Sequence, residues 1–165
     1  MRTKALDQFC AWLENTPVSQ TIQTVNWIVP TVQTVHILAI AAVMSAVMMI
    51  NLRLIGVLGR DQPLPTFSSR FVPVIWWALP VLLVTGIIMV VGEPVRSLEN
   101  SVFQLKMILV VTAIAITLVY DAPLRRNPSF WNLNGARRAA SICLAVVSLF
   151  VWVSIVFAGR WIAYI

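Results

Sequence analysis

Four long apolar runs decide what this chain can become. They lie at about 27–50, 71–91, 102–120 and 139–159, and each meets the roughly 20 helical residues needed to cross a hydrocarbon core. Inside lipid every backbone amide and carbonyl needs an internal partner, so uncharged runs of this length must be helices. Charge is correspondingly scarce: 11% of the residues are Asp, Glu, Lys or Arg, against about 25% in soluble domains. The expectation is an all-α integral membrane four-helix bundle, with residues 1–165 forming a single transmembrane domain.

Upstream of the first run, residues 3–15 set Leu6, Phe9, Cys10 and Leu13 at helical spacing, with Lys4, Asp7, Gln8 and Glu14 around the rest of the wheel. This predicts an N-terminal amphipathic helix lying in the membrane interface and ended by Pro17. An arm docked on a partner is the alternative. Asp7, Glu14 and several amides interrupt any apolar core of the secretory kind, so the N-terminus is expected to be retained. Residues 18–26 stay polar until Trp27, an expected belt residue at a membrane face. Pro30 falls within a turn of the first run's start, and Pro80 interrupts the second, where it frees the carbonyl of Trp76.

The net charge of +6 sits in loops beside the apolar runs, which is the pattern of a topology signal and excludes nucleic acid as the partner. Arg53, Arg60, Arg70, Arg125, Arg126, Arg137 and Arg138 follow the first and third runs; Arg2, Lys4, Arg96, Lys106 and Arg160 lie on the other side. That bias predicts both termini outside, in the periplasm of a Gram-negative cell. The same topology puts Cys10 and Cys143 on opposite sides of the membrane, too far apart for a disulfide.

His36 is the only histidine, and it shares a stripe with Gln33, Ala39, Val43 and Ala46, polar at one end and small along the rest. A similar stripe, Ser141, Ala145, Ser148, Trp152 and Gly159, runs along the fourth span. A rise of about 1.5 Å per residue from Trp27 puts His36 about 13 Å into the membrane. The same count makes Thr85, Gly86 and Trp152 its predicted neighbours, with Val110 to Thr112 level on the third run. Met89, Lys106 and Met107 then fall a turn outward, and Glu93, Arg96 and Arg160 at the mouth.

Four functional readings follow. In the first, b-type haem takes an axial bond from His36, lies against Gly86, and meets Lys106, Arg96 and Arg160 through its propionates, for electron transfer near the outer face. With one histidine per chain, the sixth position is open, filled by Met89 or Met107, or supplied by His36 of a second copy. In the second, copper is held by His36, Met89 and Met107, since thioether and imidazole suit Cu(I); Met44, two turns deeper, is out of reach. In the third, His36 bonds a quinone oxygen and Trp152 lines the ring. In the fourth, the chain is an accessory or structural subunit of a larger complex with no cofactor. His36 is then satisfied by Thr85, Gln33 or a carbonyl, and Lys106 snorkels to the interface.

No carboxylate lies inside a run, which argues against a proton-driven pump. Cys-x-x-Cys, Walker-type and zinc-binding histidine patterns do not occur, so no enzymatic activity can be assigned.

Several landmarks together resemble a known family: Trp27 and Pro30 before His36, Asn51-Leu52-Arg53-Leu54-Ile55-Gly56, Thr85-Gly86, Phe103-Gln104-Leu105-Lys106, and Gly159-Arg160-Trp161-Ile162. They are similar, over nearly the whole chain, to small four-span bacterial inner-membrane proteins known mainly as a domain of unknown function. A looser likeness extends to copper-resistance D type membrane proteins, and a still looser one to b-type cytochrome subunits. The resemblance implies the four-span fold and a bacterial inner-membrane location, and no activity. This chain has Asn51 where the family pattern usually carries Asp.

Overall fold

The computed structural model describes residues 4–59, 61–127, 129–132 and 134–162. The order is α1 (Lys4–Glu14), α2 (Pro17–Thr24), α3 (Ile28–Ile55), α4 (Leu64–Gly92), α5 (Pro94–Leu98), α6 (Ser101–Arg126), a short 3-10 turn (Phe130–Asn132) and α7 (Gly135–Trp161). No strand occurs among the described residues. Helices α3, α4, α6 and α7 are each long and apolar enough to cross a membrane, making an all-α, multi-pass membrane protein.

The helices outrun the apolar segments because capping residues, rather than hydrophobicity, end a helix. Helix α3 closes on Gly56 at φ 90°, a left-handed conformation that glycine adopts without a Cβ penalty. Asn100 caps α6 by accepting the Val102 amide, and Asn134 caps α7 by accepting that of Arg137. The polar stretch after Pro17 holds a helix that periodicity did not announce. Pro17 occupies the first turn of α2, and Thr16 accepts the Ser19 amide at its N-terminus.

Small residues let the long helices approach. Ala39, Val43 and Ala46 of α3, Ala113 of α6 and Ala145 of α7 are buried, and close packing runs in the order α4, α3, α7, α6. Toward the arginine-rich loops, polar bonds tie the helices: Asn51 Nδ2 donates to Ser148 Oγ at 3.3 Å, and Ser68 Oγ pairs with Tyr120 Oη at 2.9 Å. The Trp131 indole donates to the Tyr120 carbonyl. Such interhelical bonds average about 0.6 kcal/mol in membranes, so they set register more than they add stability.

That register places the site. Beyond the Asn51–Ser148 contact, α3 continues for 23 residues to Ile28, whereas α7 continues for 13 to Trp161. At 1.5 Å per residue, the α3–α4 pair reaches about 15 Å past the end of α7 on the face that carries α1.

Helices α1 and α2 cover the projecting end of α4. Pro94 has no amide to offer the preceding turn, and the last carbonyls of α4 take side-chain donors instead. Ser19 Oγ donates to the Val91 carbonyl at 2.7 Å, Gln23 Nε2 to the Gly92 carbonyl at 2.9 Å, and Cys10 Sγ reaches the Pro94 carbonyl at 3.9 Å. Burial, with smaller contributions from Glu99, Asp7 and Glu14, pushes the Cys10 thiol up, so it stays protonated at neutral pH. In a Cys143→Ser background, a water-soluble maleimide should label native Cys10 at least about tenfold more slowly than the detergent-unfolded chain. Equal rates would show that α1 does not dock.

Candidate functional site

Helices α3 and α4 meet at His36. Its Nδ1 lies 2.7 Å from Thr85 Oγ1, and Thr85 Oγ1 lies 2.6 Å from the Val81 carbonyl one turn back on α4. A threonine hydroxyl carries one proton. The arrangement in which that proton goes to Val81 makes Thr85 the acceptor from His36 and puts the hydrogen on Nδ1; donation by Thr85 to Nδ1 gives the opposite tautomer. In the first arrangement Nε2 holds a lone pair, and it has no hydrogen bond among the described residues. Thr85 is buried and His36 is half-buried, so the anchored edge of the ring is the sheltered one.

Two glycines clear space in this region. A Cβ on Gly86 would stand 3.8 Å from His36 Cε1, and one on Gly159 would stand 3.5 Å from Lys106 Nζ. The Lys106 stem therefore leads its ammonium against the α7 backbone. Ion pairs join Arg96 with Glu93 and Arg125 with Asp121.

The predicted cluster is thus brought together in part. His36 lies against Thr85 and Gly86, whereas Lys106 lies against Gly159 of α7. Arg160 follows Gly159 and is exposed at the end of α7. Trp152 does not belong to this level. It lies four residues beyond Ser148 while His36 lies 15 beyond Asn51, which separates them by about 16 Å along the axis. Trp152 is instead buried in the middle of the bundle with its indole Nε1 unpartnered. The expected match failed because it took Trp161 and Trp27 as equally high, whereas α3 overshoots α7.

The same offset moves the level on α6 from Val110–Thr112 toward Lys106. Met89 is half-buried one turn beyond Thr85, and Met107 is 43% exposed; no described contact joins either thioether to His36. The described residues contain no group of three or more His, Cys, Asp or Glu able to hold a metal.

Above His36, an open cleft of about 580 Å³ is lined by Glu14, Gln23, Val29, Gly92, Glu93, Pro94, Val95 and Arg96. Val29 and Gly92 each stand seven residues beyond His36 and Thr85, so its floor lies about 10 Å from the imidazole. Sequence reasoning missed the Val81 carbonyl, the Lys106–Gly159 approach and the caps from Ser19 and Gln23. Only the Glu93-Pro94 step hinted at the last, by signalling carbonyls in need of donors.

No curated protein and no solved structure matches the chain. A family does: residues 9–165 match the family of unknown function DUF6644, and with nearly the whole chain covered, including every long helix and the His36–Thr85 contact, the protein belongs to that family.

Proposed function

We propose that this protein is a subunit of the bacterial inner membrane, with both termini periplasmic, that binds b-type haem through His36 for electron transfer near the outer face. The observation that supports this reading is the anchoring of the imidazole. Nδ1 is held by a buried hydroxyl at 2.7 Å, and Nε2, which has no hydrogen bond among the described residues, is the nitrogen left for a ligand. Haem, when bound, supplies one-electron chemistry. The chain's part is to orient the ring through Thr85 and to leave Gly86 without a side chain beside it. One chain has a single histidine, so a second histidine ligand would have to come from another copy, while Met89 and Met107 are the thioethers this chain offers nearby.

The second reading is an accessory subunit without cofactor, in which the His36–Thr85 bond only locks α3 to α4. That same 2.7 Å bond is the observation in its favour. Quinone ranks below these two because Trp152 is not at the level of His36, and copper because two of its three proposed ligands are thioethers in apolar spans, which more often serve packing.

Absorption spectra of the purified protein, oxidised and dithionite-reduced, decide between the first two. A Soret band at one haem per one or two chains, lost in His36→Ala, is the expected result. No band in protein purified from haem-sufficient cells, and none after adding haemin, would leave the accessory role. Metal and quinone extraction from the same sample would reveal the remaining two.

A further inference from the structure

We propose that the corner joining α6 to α7 binds the phosphate of an anionic phospholipid through Arg125, Arg126, Arg137 and Arg138, with the acyl chains lying along α6.

A basic loop beside a membrane span acts as a topology signal through its charge alone, which asks nothing of where the guanidinium groups come to rest. Here the fold fixes two of them. Arg125 Nε pairs with Asp121 Oδ2 one turn back on α6, while the arginine side chain stays 67% exposed. A carboxylate at Nε leaves the terminal nitrogens of the guanidinium for a second anion. Arg137 is held differently, with its Cζ 4.4 Å from the centroid of the Phe130 ring. Phe130 meets Trp131 edge-on at 5.0 Å, Trp131 stacks on Tyr120 at 6.3 Å, and the indole donates to the Tyr120 carbonyl. This column of rings runs from α6 to the Arg137 guanidinium, so the turn at Phe130–Asn132 is built into the ends of both helices. A guanidinium laid flat on a ring still directs N–H groups from its edge, which is the geometry that suits a phosphate.

Composition supplies the field. Between residues 121 and 138 the sequence has four arginines against one aspartate, and neither Pro128 nor Leu133 brings a charge. The corner therefore carries an excess of positive charge, and its aspartate is already engaged by Arg125.

The surface leading to the corner selects a lipid over a soluble anion. Leu118 and Val119 stand seven residues before Arg125 and Arg126, hence on the same side of α6 and about 10 Å along it. Both are exposed, as is Val111 a further seven residues back from Leu118. An apolar stripe ended by arginine matches a molecule with hydrocarbon tails and an anionic head. A zwitterionic headgroup brings no net charge to the same place.

The test uses the full-length protein in phosphatidylcholine vesicles, with phosphatidylglycerol or phosphatidylcholine spin-labelled near the end of one acyl chain. Electron spin resonance reads the fraction of each immobilised on the protein. The expected preference for phosphatidylglycerol is about fivefold. Arg126→Gln combined with Arg137→Gln should reduce it to below about twofold, whereas Arg70→Gln, at an exposed arginine of α4 outside the corner, should leave it unchanged. Phe130→Leu keeps every charge and removes the ring beneath Arg137. It should lower the preference by about twofold, and it serves if the double variant fails to fold. Equal immobilisation of the two lipids, or a preference retained in full by the double variant or by Phe130→Leu, would overturn the proposal. So would a loss in Arg70→Gln as large as in the double variant, which would make the whole basic face responsible.

Discussion

On the proposed haem reading, Thr85→Val is expected to lower haem affinity by about 10- to 100-fold, and Thr85→Ser by less than about threefold. The argument is local. In that reading Thr85 is the acceptor that holds Nδ1–H, and its own proton goes to the Val81 carbonyl. Valine keeps the shape and β-branching but removes the acceptor, leaving a sheltered N–H unsatisfied. The ring is then free to rotate, and Nε2 is no longer fixed as the outward atom. Serine restores the hydroxyl. One interhelical bond in lipid is worth about 0.6 kcal/mol on average, so the bundle itself should survive, which circular dichroism on heating would check. Titration of the apo-protein with ferrihaem, followed in the Soret region, measures the effect. Unchanged affinity in the valine variant would mean that Thr85 does not orient the ligand.

Gly92→Val should release α2 from the end of α4. A Cβ at this position would stand 2.9 Å from Ile22 Cγ2, inside any permitted contact, and Ile22 is buried with a branched side chain that has little rotameric freedom. Overpacking of this kind costs about 1–3 kcal/mol. The bonds from Ser19 to Val91 and from Gln23 to Gly92 offer too little to hold the helix against it. Cys10, buried against the Pro94 carbonyl, should then react with maleimide at nearly the unfolded rate. Ile22→Ala in the same chain removes the colliding methyl and should restore protection. A protected Cys10 in Gly92→Val alone would show that α2 has room to shift.

The fold was largely legible because hydrophobic length speaks directly about membranes. The apolar runs containing His36, Thr85, Lys106 and Ser148 became α3, α4, α6 and α7, and the amphipathic 3–15 stretch became α1. The stripe of Ala39, Val43 and Ala46 turned inward as small residues should. Helix α2 was not legible, since Ser19, Gln23 and Ile22 make sense as a helix only with the end of α4 to bond and pack against.

At the site, pairing His36 with Thr85 succeeded because α3 and α4 are consecutive and begin and end nearly level. Pairing it with Trp152 failed because nothing along the chain states how far α7 is offset from α3.

By itself the sequence determined the number and helical nature of the spans, and it singled out His36 and Lys106 as the ionisable groups to explain. Those are properties of a segment and its solvent, readable without neighbours. Only the tertiary structure decided that Thr85 orients His36, that Lys106 turns to Gly159, and that Trp152 stands two or more turns away. Those depend on the sliding of one helix pair past another. That offset is set by contacts such as Asn51 with Ser148, between residues far apart in the chain, and no pattern within either segment encodes it.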